Sequence, residues 1–325
     1  MELRQFGKTG LRVSPLGIGC ARIGGIFQGG ADEFIALLRH AVDAGINFFD
    51  TADMYSQGES ETLLGKAIRG NDKIVVASKA GYVLPAQRRM IARVKPLVRP
   101  LIKLLKISRK SLPSSVRGAP TQDFSPEYLQ RAVEGSLRRL RRDHLDLFQL
   151  HSPPSAVIAK GEWLPAAESL LRAGKIRSFG IACDTPEDAL ESLKFPIVSS
   201  VQVTVNLLEQ RALEKLLPAA REKGVAVIAR EVLANGLLAK RTDQVDLASY
   251  CSSPAQLAHR ERQLKALRAV AAQRKIALAQ LSLDFVRSVE GATVALLGVR
   301  SLQQLRELLS LPHQPVAELS ALRGV

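Results

Sequence analysis

The chain has 325 residues, 46% of them hydrophobic and 24% charged, a balance that excludes a disordered protein and allows a substantial core. No apolar run approaches the roughly 18 residues of a membrane span, and MELRQFGKTG lacks the basic start and apolar stretch of a signal peptide. The net charge of +15 is uneven: ten Lys or Arg and no acidic residue fall between Tyr82 and Pro120, and without them the balance is 36 basic against 31 acidic residues. The high charge therefore belongs to one segment, and nucleic-acid binding by the whole protein is not expected. Cys20, Cys183 and Cys251 are scattered, without metal-ligand spacing. They read as reduced thiols of a cytoplasmic protein, with no metal site.

In chain order, ELRQF, a KTG turn and LRVS predict a short hairpin. Eight strand candidates follow: PLGIGC, INFFD, KIVVASK, LDLFQLH, IRSFGIA, IVSSVQVTV, VAVIARE and ATVALLG. Between them lie helical patterns such as EFIALLRHAVDAG, ESETLLGKAIRG, PEYLQRAVEGSLRRL and EQRALEKLLPAAREKG, several closed by a glycine suited to a left-handed cap. Strict alternation with nearly continuous apolar strands predicts a parallel sheet covered by helices. Eight units favour closure into one (β/α)8 barrel domain spanning 1–325. The rival, a doubly wound dinucleotide-binding sheet, requires G-x-G-x-x-G after the first strand; GIGCARIGG places Arg22 where the third glycine belongs. Two segments interrupt the repeat. Residues 82–120 expand the third strand–helix connection, and 236–262 separate the seventh strand from its helix, with an extra helix expected near Ser253–Ala271.

Four side chains stand out by position. Asp50 closes INFFD, Lys79 closes KIVVASK, His151 closes LDLFQLH, and Tyr55 lies five residues beyond Asp50. Groups delivered from the ends of successive strands are the pattern of a barrel active site. A phenol, an amine, a carboxylate and an imidazole together suit proton transfer to or from a carbonyl oxygen. Each alone has a plain explanation as a packing residue, a solvated charge, a helix cap or a structural histidine; their joint placement is what favours an enzyme.

With these pieces placed, the chain resembles the aldo-keto reductases over essentially its whole length. The residues that carry the resemblance are QFGKTGLRVSPLGIG, FFDTADMYSQGESETLLGKAI, VVASKAG, SLRRLRRDHLDLFQLHSPP and GKIRSFGIA. It implies a barrel that moves a hydride between a nicotinamide cofactor, usually NADPH with NADH as the alternative, and a carbonyl or alcohol. Asp50, Tyr55, Lys79 and His151 would be its catalytic tetrad. In physical terms, Lys79 would stabilise the phenolate of Tyr55 and lower its pKa, Asp50 would keep Lys79 charged, and His151 would donate to the carbonyl oxygen.

The resemblance also implies cofactor contacts. Gln202 matches an amide contact, while Arg300, Ser301 and Gln304, in LLGVRSLQQLREL, match positions contacting the adenosine phosphate, beside Gly298, which permits close backbone approach at the helix start. Ser301 and Gln304 equally fit a plain capping box. Three positions depart from the pattern: Ala182-Cys183 replaces a Ser-Asn pair, Arg230 replaces a stacking aromatic, and Leu308 replaces an asparagine. A guanidinium can stack on a planar ring, so Arg230 is kept as a cofactor contact. Cys183, if beside the nicotinamide, would make activity sensitive to oxidation.

Within 82–120, Met90, Ile91, Val94, Leu97, Val98, Leu101, Leu104 and Leu105 have helical spacing, and Arg89, Arg93, Arg99, Lys103, Lys106 and Lys110 form a second stripe, broken by Pro96 and Pro100. The simplest reading is a helical flap over the barrel mouth. Contact with an anionic membrane surface through 86–110, or recruitment of acidic substrates, are the alternatives. The expected function is reduction of an aldehyde or ketone. The alternatives are a sugar or alcohol dehydrogenase using the same tetrad, or a nicotinamide-binding regulatory barrel of low turnover.

Overall fold

Eight parallel strands close on themselves, each paired with the next in chain order and the last with the first. The structure is a computed structural model that describes residues 1–24, 30–83, 121–239, 246–313 and 322. The barrel strands are β3 (Leu16–Gly19), β4 (Phe48–Asp50), β5 (Val75–Ala80), β8 (Leu147–His151), β9 (Phe179–Ala182), β10 (Val198–Thr204), β11 (Ala226–Arg230) and β12 (Ala292–Leu297). Seven lie inside predicted segments and β5 runs one residue past KIVVASK, to Ala80, and closure rules out the open dinucleotide-binding sheet. β1 (Arg4–Gln5) and β2 (Arg12–Val13) pair as the expected hairpin, while β6 (Tyr82–Val83) pairs with β7 (Thr121–Gln122) where the basic segment begins and ends. The amphipathic stretch itself, and with it the flap and membrane readings for 86–110, lies outside the described residues.

The strands sort their side chains into two sets by the two-residue period. Phe49, Val76, Phe148, Leu150, Val201 and Val227 join the large cluster packed beneath the helices. Phe48, Val75, Ala77, Leu147, Ala226, Ile228, Val294 and Leu296 form a separate cluster inside the barrel, with Phe6 and Val13 of the hairpin added to it. Phe6 is fully buried, and its ring lies 5.6 Å from that of Phe48. The hairpin thus plugs the N-terminal end of the barrel. Continuing the inward set toward the strand exits reaches Asp50, Lys79, Gln149 and Arg230. The alternation that fills the barrel also delivers the polar residues to its other end.

Local signals place the helices. α1 (Ala31–Asp43) and α2 (Glu59–Ala67) are each followed by a left-handed glycine, Gly45 and Gly70. α3 (Pro126–Leu140) starts at Ser125, whose hydroxyl accepts from Tyr128 N, with Pro126 in the first turn. α4 (Ser155–Lys160), α5 (Leu164–Arg172) and α6 (Pro186–Ser192) follow the fourth and fifth barrel strands. The pattern EQRALEKLLPAAREKG does not form one helix: a 3-10 turn at Arg211–Leu213 precedes α7 (Leu216–Glu222). Pro218 explains the break, because its ring would clash with the carbonyl four residues back in any helix begun earlier. The extra helix is present as α8 (Pro254–Gln273), capped by Ser253. Arg260 on α8 donates to the Leu208 carbonyl at 2.9 Å, tying the helix to the loop after the sixth barrel strand. α9 (Leu278–Ser288) and α10 (Leu302–Ser310) flank the last strand.

Candidate active site

Asp50 and Lys79 emerge from neighbouring strands and meet at 2.6 Å, with exposures of 3% and 1%. Two charges this deep require full hydrogen bonding to offset their lost hydration. Asp50 Oδ1 accepts from Gln202 Nε2 at 2.9 Å and from Gln149 Nε2 at 3.2 Å, while Lys79 Nζ also donates to the Thr51 carbonyl at 2.8 Å. Burial works against the Lys79 ammonium, yet Asp50 and Tyr55 together hold its pKa above the ordinary lysine value. Lys79 is therefore a fixed cation.

Tyr55 lies beside that cation, with Lys79 Nζ 5.0 Å from the centre of its ring. The turn carrying it is strained: Ser56 and Gln57 have φ of 51° and 59°, and Gly58 follows at 84°. Such left-handed conformations in non-glycine residues persist only where surrounding structure enforces them. Ser56 Oγ donates to the Ile23 carbonyl at 3.0 Å, and Asp53 N to the Lys79 carbonyl at 3.0 Å, which pins both ends of the turn. The Tyr55 phenol does not have the lowered pKa expected from sequence. Burial pushes it up; Lys79 opposes this, but Asp50 adds to the rise. The lysine favours the phenolate, and dehydration outweighs it.

His151 sits edge-on to two rings, 5.6 Å from Tyr55 and 5.0 Å from Tyr82. Burial, with help from the charges of Lys79 and Arg230, holds its pKa well below the ordinary histidine value. Its Nδ1 is buried without a partner among the described residues. The imidazole is thus neutral and keeps unused hydrogen-bonding capacity beside the phenol. Asp50, Tyr55, Lys79 and His151 form one contiguous group at the C-terminal end of the barrel, which has the composition and proximity needed for proton exchange with a bound oxygen.

A family model described as the aldo/keto reductase family matches residues 15–317. The chain belongs to this family. Among relatives of this aldo/keto reductase, pyridoxal 4-dehydrogenase of Microbacterium luteolum is 28% identical across 94% of this chain and 91% of its own. The uncharacterized oxidoreductase YqkF of Bacillus subtilis (strain 168) is 27% identical across 94% and 90%. Among solved structures, the holo form of aldo-keto reductase AKR11C1 from Bacillus halodurans superposes with a TM-score of 0.79 at 27% identity, covering 99% of this chain and 95% of its own. The glycerol dehydrogenase AKR11B4 from Gluconobacter oxydans gives 0.77 at 24% identity, covering 99% and 94%, a likeness of fold.

The other expected contacts of this aldo/keto reductase divide into two places. Gln202 belongs to the tetrad's own network, because its amide nitrogen is given to Asp50. Arg230 reaches across the barrel mouth, donating from Nη2 to Asp184 at 2.8 Å and to the Cys183 carbonyl at 3.1 Å. Gly298, Arg300, Ser301 and Gln304 lie together at the exit of β12 and the start of α10. Ser301 Oγ accepts from Gln304 N at 3.2 Å, and Gln304 Oε1 accepts from Arg300 N at 3.0 Å. These bonds realise the capping reading, with the reciprocal bond placed one residue before the cap. The backbone at Gly298 is open: apart from its chain neighbours, no atom of the described residues lies within 4 Å of where a Cβ would stand.

The departures have local explanations. Cys183 is fully buried, its thiol 3.6 Å from Ser192 Oγ and its pKa pushed up to about 12, mainly by burial. A thiol in that state is a poor nucleophile. Leu308 packs against the main core. Sequence reasoning missed Gln149, Ser152, Asp184 and Tyr82. Gln149 was detectable as a polar residue inside an apolar strand. Ser152, Asp184 and Tyr82 carry no comparable mark, since each is a loop or strand-end residue given its role by a partner distant in sequence.

Proposed function

We propose that this protein is an NADPH-dependent oxidoreductase that reduces an aldehyde or ketone to an alcohol, with NADH as the alternative donor. The observation that carries the reading is the buried Asp50–Lys79 pair beside Tyr55 and a neutral His151. The bound nicotinamide supplies or takes up the hydride; the protein's residues govern the proton. Tyr55 gives its proton to the substrate oxygen as negative charge develops there, and the Lys79 ammonium stabilises the phenolate left behind. Asp50, held by Gln149 and Gln202, keeps that ammonium charged and oriented. His151 donates one hydrogen bond to the same oxygen and fixes its direction.

The cofactor fits the residues present in one region and less well in another. Exposed Arg300 and Ser301, with the open backbone at Gly298, offer a cation and free approach at a helix start. These, with Gln304, would hold the adenosine phosphate, and the guanidinium favours NADPH. Ala182 and buried Cys183 offer no side-chain donor to the nicotinamide amide. Gln202 and the face of the Arg230 guanidinium would hold that ring instead. A relative at 27% identity solved in a holo form supports a bound cofactor.

A second reading, the same tetrad oxidising an alcohol or sugar, is favoured by a relative named pyridoxal 4-dehydrogenase. A low-turnover regulatory barrel is the third. The three free cysteines support a cytoplasmic location. The decisive experiment follows NADPH consumption with a reactive aromatic aldehyde, beside Tyr55→Phe. Turnover by the wild type that falls by about 10²-fold or more in the variant supports the first reading. NADPH binding without aldehyde turnover moves the second and third ahead.

A further inference from the structure

A line of polar contacts crosses the barrel mouth beside the tetrad and takes no part in the proton chemistry. Arg230, at the end of the seventh barrel strand, donates to Asp184, just past the end of the fifth, at 2.8 Å. Asp184 Oδ1 also accepts from Ser152 Oγ at 2.7 Å, and Ser152 directly follows His151 at the end of the fourth. Ser152 adopts a φ of 50°, a left-handed conformation for a non-glycine residue, while its carbonyl accepts from Gln122 Nε2 at 2.8 Å. Strain of this kind at a strand exit is retained where it holds a functional geometry.

This chain fixes a guanidinium near the reacting groups. The Arg230 side chain is 22% exposed, whereas Asp184 is 62% exposed, so water screens much of the anion's charge. The cation is felt by the site, since its charge depresses the His151 pKa and favours ionisation of Tyr55. Both of its hydrogen bonds use Nη2, and Nε is buried with no partner among the described residues. An unpaired buried N–H of a charged group is costly. The 22% of the side chain that is exposed leaves the guanidinium open to an acceptor brought by a ligand.

We propose that Arg230 is a specificity-determining residue that binds a carboxylate carried by the substrate close to its reacting carbonyl, with Asp184 and Ser152 as the positioning residues that hold it. The substrates selected are oxo acids and carboxylated aldehydes, with hydroxy acids in the reverse direction. The inference rests on the oxidoreductase reading. It leaves the flat face of the guanidinium for the nicotinamide and assigns its edge to the substrate.

The test compares 3-carboxybenzaldehyde with uncharged 3-nitrobenzaldehyde, using NADPH and the full chain at pH 7. The expected result is a kcat/KM ratio of at least about tenfold in favour of the carboxylate in the wild type, a difference of about 1.4 kcal/mol. Arg230→Gln lowers the ratio at least tenfold, chiefly through KM, and Arg230→Lys recovers part of it as a point charge without the fork. A wild-type ratio of one or below, or an unchanged ratio in Arg230→Gln, overturns the proposal. Should the variants not fold, binding of benzoate and benzamide to the wild-type protein alone, measured by calorimetry, decides it. Benzoate binding at least tenfold more tightly upholds the inference, and equal affinities overturn it. Turnover of the nitro compound without anion preference sinks this inference alone, whereas absence of turnover of either aldehyde sinks the reading beneath it.

Discussion

At the residue scale, the Asp50–Lys79 pair is both the source of the chemistry and a risk to stability. Removing one partner strands a buried charge, which costs about 3–5 kcal/mol. Lys79→Met is therefore expected to lower stability to urea by that amount and to abolish turnover. The double variant Asp50→Asn/Lys79→Met, which leaves no buried charge, should recover most of the lost stability; a double variant as unstable as the single one would refute the account. Asp53, two residues before Tyr55, makes a second prediction. Its pKa is raised to about 7 by burial and by Glu61, although Tyr128 donates to Oδ2 at 3.0 Å, and Oδ1 has no partner among the described residues. The folded-state value lies above the unfolded one of about 3.9, so the folded protein binds the proton more tightly. That contribution is complete below about pH 4 and is lost as pH rises through about 7. Asp53→Asn should remove this part of the slope in a series of denaturant titrations from pH 4 to 8, and an unchanged slope would assign it elsewhere. Residue identity was legible in the sequence here, because Asp, Tyr, Lys and His at strand exits narrow the chemistry. Protonation was not, because the Tyr55 pKa depends on how burial compares with the Lys79 charge.

At the element scale, the two helices that brace the Tyr55 turn are packed through a glycine. A Cβ at Gly65 on α2 would fall within 2.7 Å of the Leu140 carbonyl carbon at the end of α3. Gly65→Ala must push the helices apart, and the expected cost is about 1–3 kcal/mol, read as a lowered Tm. Buried Glu61 on the same helix accepts from Ser78 Oγ at 2.7 Å and pairs with Arg139 of α3 at 2.5 Å. The separation therefore reaches the strand that carries Lys79, and kcat should fall along with Tm. A variant with wild-type Tm and kcat would show that the contact relaxes freely. Three helix starts are marked locally, by the capping hydroxyls of Ser125, Ser253 and Ser301. The helix at 216–222 could not be read from periodicity alone. Pro218 set its start by steric exclusion, which overrode the favourable residues before it.

At the scale of the whole molecule, the barrel has a sealed end and a chemical end. Phe6 seals the first, wholly buried against the inward cluster around Phe48. Phe6→Ala is expected to destabilise the fold by about 3–5 kcal/mol while leaving the tetrad's geometry intact, so that kcat measured well below the Tm stays near wild type. A stable variant with lost activity would mean that the plug sets the site rather than the fold. By itself the sequence determined the class of fold and the four residues at its chemical end. The two-residue period of the strands and the helical period between them are local properties, and a closed barrel is the arrangement that buries both. It could not determine the environment those residues meet. The amides that neutralise Asp50, the second ring against His151 and the restraint on Arg230 all join segments far apart in the chain. Contacts of that kind exist only once closure has brought the strand exits together, and burial then sets the charge each group carries.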